Sequence, residues 1–122
     1  MLLAAAHRDH RWALRASLRS EYGVGLGDLG MLETAELLMW LPQGAALWRA
    51  FGGDLALSEE AHQLRLIEYR LRVLSWQQTK DAKSGRNRPQ PPQKIPTAGE
   101  RGEGLAHAER QAAAYRRRNK ST

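Results

Sequence analysis

The chain has no cysteine, which excludes a disulfide scaffold and any thiolate-based zinc site, and which suits a reducing compartment. Proline is nearly missing from the first eighty residues, where Pro42 stands alone, and aromatics are nearly missing from the rest, where Tyr115 is the only one after Trp76. No apolar run approaches the ~20 residues that span a bilayer. The start reads apolar from Met1 to Ala6 and then charged from His7 to Arg11, the reverse of a secretory signal. A soluble, cytoplasmic protein with no membrane contact is the expectation.

What is present divides near Lys80. Residues 1–79 carry 8 Lys/Arg against 9 Asp/Glu, whereas residues 80–122 carry 11 against 4, so the excess of +6 belongs to the tail. All four tryptophans (Trp12, Trp40, Trp48, Trp76) precede the division and four of the five prolines follow it. Large apolar side chains supply most of the burial free energy, so residues 1–80 are expected to form a helical domain. Residues 81–104 read as a basic Pro/Gly-rich linker and 105–122 as a basic tail with a short helix between Leu105 and Arg118. The fold class is therefore all-α: a small bundle of about four helices with a basic, Pro-rich, largely disordered C-terminal tail. A core of this size buries only roughly 60 to 65% of its unfolded surface. A partner or self-association would complete it.

The periodicity predicts helix one over Leu2 to Tyr22, with Leu14, Leu18 and Tyr22 on one face. Four glycines between Gly23 and Gly30 stop it. Helix two runs from about Glu33 to Leu41 with Thr34 as a candidate N-cap, and Pro42 ends it. Ala45 to Phe51 forms a short third helix closed by Gly52-Gly53. Ser58, followed by Glu59 and Glu60, starts the longest helix. Leu64, Ile67, Leu71 and Leu74 make a stripe on it that wants a helical partner, and Leu66, Val73 and Trp76 widen that stripe. From Lys83 to Gly104 the composition favours extended or disordered chain.

Gly25-Leu-Gly27-Asp-Leu-Gly30 satisfies the G-x-G-x-x-G pattern of phosphate loops, but that chemistry needs the glycines between a buried strand and a helix. A helix precedes them here, so the segment reads as an ordinary loop. His7 and His10 lie three apart without a further ligand cluster, which reads as a surface pair rather than a metal site. No arrangement of Ser, His and Asp supports nucleophilic catalysis. No enzyme activity, cofactor or metal is expected. Arg8, Arg11, Arg15 and Arg19 fall along one helical face, suited to an acidic partner helix or a phosphate backbone, or else simply solvated opposite Leu14 and Leu18. The tail adds Arg86, Arg88 and Lys94, then Arg116 to Arg118, without the interleaved aromatics that would stack bases. Specific nucleic-acid reading is not expected.

From Tyr22-Gly-Val-Gly-Leu-Gly-Asp-Leu-Gly30 onward the chain resembles a known family. The likeness continues through Leu41-Pro42, Ala46-Leu47-Trp48-Arg49-Ala50-Phe51, Trp76-Gln77, Pro92-Gln-Lys-Ile-Pro96 and Gly99. This order is similar to that of the small tail assembly chaperones of actinobacterial siphophages and their prophages. The resemblance implies a non-catalytic protein of the host bacterial cytoplasm, absent from the mature virion. It would bind the tape measure protein and help recruit tail tube subunits. Trp40, Leu41, Pro42, Leu47, Trp48, Leu71, Leu74 and Trp76 are the candidates for the core and its exposed groove, most of them by plain packing. Arg86, Arg88, Lys94, Ile95 and Pro96 are the candidates for a second contact. The alternative is a small basic nucleic-acid-binding protein, whose affinity would fall steeply with salt.

Overall fold

Helix formation at the N-terminus is driven by an alanine- and leucine-rich run, yet the expected single helix over Leu2 to Tyr22 is two helices. In the computed structural model, which describes residues 1–120 with side chains through Arg118, α1 spans Leu2–Asp9 and α2 spans Arg11–Tyr22. The break is at His10, with φ −137° and ψ 38°. No glycine or proline marks it. Tertiary packing accounts for it: the His10 ring meets Phe51 edge-on at 4.6 Å, and Ala6 is fully buried in the elbow. The bend lets α1 pack on α3 (Met31–Met39) while α2 packs on α4 (Ala46–Phe51).

Gly23 ends α2 in the left-handed conformation at φ 71°, with its N–H and that of Val24 donating to the carbonyls of Arg19 and Leu18. In the glycine loop that follows, the Gly25 N–H donates to Asp28 Oδ2 at 2.6 Å. A carboxylate of the chain itself thus takes the amide that a phosphate loop would offer to its ligand. At α3 the expected cap is corrected: Gly30 holds the N-cap position and Glu33 Oε2 accepts from its N–H, while Thr34, buried in the first turn, donates from Oγ1 to the Gly30 carbonyl.

The core gathers Ala6, Leu14, Leu18, Leu38, Leu41, Ala45, Leu47 and Trp48. Each large side chain among them contributes about 1.5–3 kcal/mol by leaving water. Its polar groups are satisfied across the sequence. Ala45 precedes α4 with no side chain able to cap it, and Ser17 Oγ, buried on α2, accepts from the Leu47 N–H at 2.8 Å instead. Trp48 Nε1 donates to the Leu41 carbonyl, and Tyr22 Oη to that of Leu37. A 3-10 turn, Asp54–Ala56, then leads to α5 (Glu59–Gln77), where Ser58 Oγ accepts from the Ala61 N–H as the sequence predicts.

Beyond this point the chain stops adding to the core, and α5 has no buried residue. A short α6 (Lys80–Ser84) and a turn through Asn87 reverse the chain, which returns without regular secondary structure over 88–96 and enters α7 (Ala98–Lys120). The final helix therefore begins at Ala98 rather than Leu105, and its side chains from Gly99 to Arg118 are all exposed. The fold is all-α. Among the described residues its one isolated bridge joins Gly52 and Thr97.

Candidate interaction surface

The outward half of the molecule is an arm made of α5 and the strap 86–97. Nineteen helical residues carry α5 about 28 Å from its root. The strap comes back along it, attached at both ends. At the far end Trp76 Nε1 donates to the Arg86 carbonyl at 2.7 Å, and midway the Arg65 guanidinium donates to the Gln93 carbonyl at 2.7 Å. Asn87, in the left-handed region at φ 55°, donates from Nδ2 to Asp81 Oδ2 and holds the turn. At the near end the Gly53 N–H donates to the Pro96 carbonyl, and Arg101 reaches the carbonyls of Arg49 and Ala50 at the end of α4.

This near end rests on glycine. Gly52 has φ 77°, and a Cβ there would run into the Pro96 carbonyl and lie 2.9 Å from Thr97 Cα. The Gly52-Gly53 pair, read from the sequence as a helix stop, is also the seat of the strap. Thr97 and Glu100 fix the start of α7: Glu100 accepts from the Thr97 N–H at 2.7 Å and from Lys94 Nζ at 2.9 Å. Those two contacts, the Thr97 N–H first and the Lys94 ammonium after it, lower the Glu100 carboxyl to about 2. Lys94 is correspondingly raised by its hydrogen bond to Glu100.

The strap covers one side of α5 and leaves the other bare. Arg65, Glu68, Arg72 and Trp76 face it, with a hollow of about 290 Å³ between the first three and Gln90 to Gln93. Helical phase puts Leu64, Ile67, Leu71 and Leu74 on the opposite side, where they are 64, 52, 58 and 55% exposed. Among the described residues no element packs on this row, so they do not supply the helical partner that the stripe wants.

The candidates taken from the sequence fall into three places. Leu41, Leu47 and Trp48 are core, and Pro42 is exposed at the end of α3. Trp40 is a correction as a core residue: it follows the last turn of α3 at 82% exposure, because the helix phase directs Leu37 and Leu38 inward and Met39 and Trp40 out. Leu71 and Leu74 lie on the bare row. Trp76, Arg86, Lys94, Ile95 and Pro96 come together as parts of the arm. Arg86 donates from Nε to Ser84 and Lys94 pairs with Glu100, while the exposed Arg88 makes no hydrogen bond or ion pair among the described residues. Ile95 is partly buried and Pro96 contributes its carbonyl. Leu64 and Ile67, signalled by their 3-4-3 spacing, complete the row. Arg101 had no such signal, because its targets lie about fifty residues earlier.

Among the described residues no group of three or more His, Asp or Glu could hold a metal, and no helix is long and apolar enough to cross a membrane. One family model, described as a family of unknown function (DUF5361), matches residues 67–91. That stretch is the outer part of α5, all of α6 and the first half of the strap, so the similarity is to the tip of the arm and does not touch the α1–α4 core. No curated protein and no solved structure matches the chain.

Proposed function

We propose that the chain is a non-catalytic phage tail assembly chaperone, which covers an apolar helical stretch of the tape measure protein with the α5 row and helps bring in tail tube subunits. The bare row carries this reading. A helix that exposes Leu64, Ile67, Leu71 and Leu74 on one side, and is braced by a strap on the other, is prepared for a second helix laid along it. The resemblance supplies the identity of that helix and the setting, the host cytoplasm before the virion is complete. Arg88, which makes no hydrogen bond or ion pair among the described residues, is a contact left for the second partner.

Co-expression with the tape measure protein and retention on a column at low and high salt tests this. Retention should survive high salt, because burial of apolar area is little screened by ions. Ile67→Asp with Leu71→Asp should weaken it about 100-fold or more, since two large apolar side chains contribute about 1.5–3 kcal/mol each on burial. Retention unchanged by that pair of substitutions would overturn the reading. Binding to duplex DNA that collapses with added salt, with no retention of the tape measure protein, would favour the nucleic-acid alternative instead.

A further inference from the structure

A second apolar surface lies away from the arm, where α1, the glycine loop and the start of α3 leave a trough of about 1010 Å³. Leu3, Ala4, Leu26 and Leu29 line it, and Met31 and Leu32 stand at its edge, 81 and 73% exposed. His7, Arg8 and Arg11 line it as well and supply its only ionisable side chains. The arginine stripe read from the sequence is thereby divided: Arg8 and Arg11 border the trough, whereas Arg15 and Arg19 do not.

Three of the acidic groups nearby are committed elsewhere. Asp28 accepts from the Gly25 N–H, Glu33 from the Gly30 N–H, and Asp9 from both Nε and a terminal nitrogen of Arg8. Arg11 makes no hydrogen bond or ion pair among the described residues. The Arg8–Asp9 pair is exposed, so exchanging Asp9 for another carboxylate costs little.

We propose that this trough is a docking site for an amphipathic helical segment of a partner protein, one whose apolar stripe is flanked by Asp or Glu. The apolar floor takes the stripe and the cationic border takes the carboxylates. A second copy of this chain does not complement the border. Helix α5 carries Glu59, Glu60 and Glu68 against Arg65, Arg70 and Arg72, so its row brings no net acidic charge to the border, and the end of α7 carries Arg116, Arg117 and Arg118. A phosphate backbone would meet an apolar floor with few donors, and a lipid surface is flat where the trough is concave. This site is independent of the α5 row and adds a second partner surface to the proposed function.

The test uses the full chain, labelled for NMR, and a synthetic helical peptide of about 14 residues with leucines at i, i+3, i+4 and i+7 flanked by glutamates. A peptide with lysine at each glutamate position is the control. The glutamate peptide should shift the resonances of Leu3, Leu29, Leu32 and Arg11 and leave those of Ile67 and Leu71 in place. Arg8→Glu with Arg11→Glu, or Leu32→Glu alone, should weaken it about tenfold or more, and the lysine peptide should bind about tenfold more weakly than the glutamate one. These positions are exposed, so unchanged Leu14 and Leu47 resonances will report an intact core in each variant. Equal binding of the two peptides would overturn the proposal, as would shifts confined to α5. Tighter binding of phosphatidylcholine–phosphatidylglycerol vesicles at about 3:1 through the same residues would overturn it in favour of a lipid surface. Ile67→Asp with Leu71→Asp should leave the titration unchanged, so failure here and failure of the tape measure reading are separable.

Discussion

Leu47 and Leu71 are the same residue on neighbouring helices of one small protein, and they live under opposite conditions. Leu47 is fully buried between α2 and α4, and its N–H is bonded to Ser17, whereas Leu71 stands 58% exposed on the bare side of α5. The α1–α4 core is held by apolar packing, with side-chain hydrogen bonds closing its few buried polar groups. The arm is held by side chains and a glycine seat that grip backbone: Arg65, Trp76 and Arg101 each donate to a carbonyl across the strap contact. Packing of the first kind is hard to undo locally. Attachment of the second kind leaves the apolar row free and ties the tail down through a few separable contacts.

Substitution at the two leucines should break the comparison most sharply. Leu47→Ala should cost about 2–5 kcal/mol of unfolding free energy, because the cavity it leaves cannot collapse fully. Leu71→Ala should stay within about 0.5 kcal/mol. Chemical denaturation of both variants measures the contrast, and a similar loss at the two sites would mean that α5 is packed in solution.

A smaller effect is expected at the glycine seat. Gly52→Ala adds about 1–3 kcal/mol of backbone strain, since φ 77° with ψ −166° is a region only glycine enters readily, and a Cβ against the strap, so the strap should lift while the core stays folded. Tryptic cleavage after Arg86 and Lys94 should then quicken about tenfold, with the helical signal of the core retained. An unchanged cleavage rate would show that Arg65 and Trp76 suffice to hold the strap.

The smallest effect is set by pH. The Glu100 carboxyl, lowered to about 2 by the Thr97 N–H and then Lys94, has a folded pKa below its ordinary value near 4.5. Its contribution is therefore complete above about 4.5 and is lost as pH falls through about 2. The Thr97 amide resonance should report this by titrating near the lower value. A midpoint near the ordinary value would mean that the strap's anchor is open.

Local chemistry made much of the fold legible. Ser58 with Glu59 and Glu60, the stop at Pro42 and the glycine ends at Gly23 and Gly52 act within one turn of the chain, so the sequence displays them directly. The elbow at His10 was not legible, since its cause is the Phe51 ring forty residues away. Trp40 misled because a run of four apolar residues, Leu37 to Trp40, does not say which two face inward. The same limit applied to the surfaces. The 3-4-3 spacing announced the α5 row, but the trough beside α1 draws on three separate segments, and the arginine stripe signalled only part of its cationic border.

Residue order alone determined that this is an all-α chain with its large apolar residues ahead of Lys80 and its excess charge behind, because helix periodicity and local charge are properties of neighbouring residues. Only the tertiary structure decided that the core is built from α1–α4, that the proline-rich stretch lies back along α5, and that one side of that helix is left uncovered. Those outcomes depend on contacts such as Gly52 with Pro96 and Arg101 with Ala50, between residues tens of positions apart. Their free energy arises only once the intervening chain has closed the loop between them.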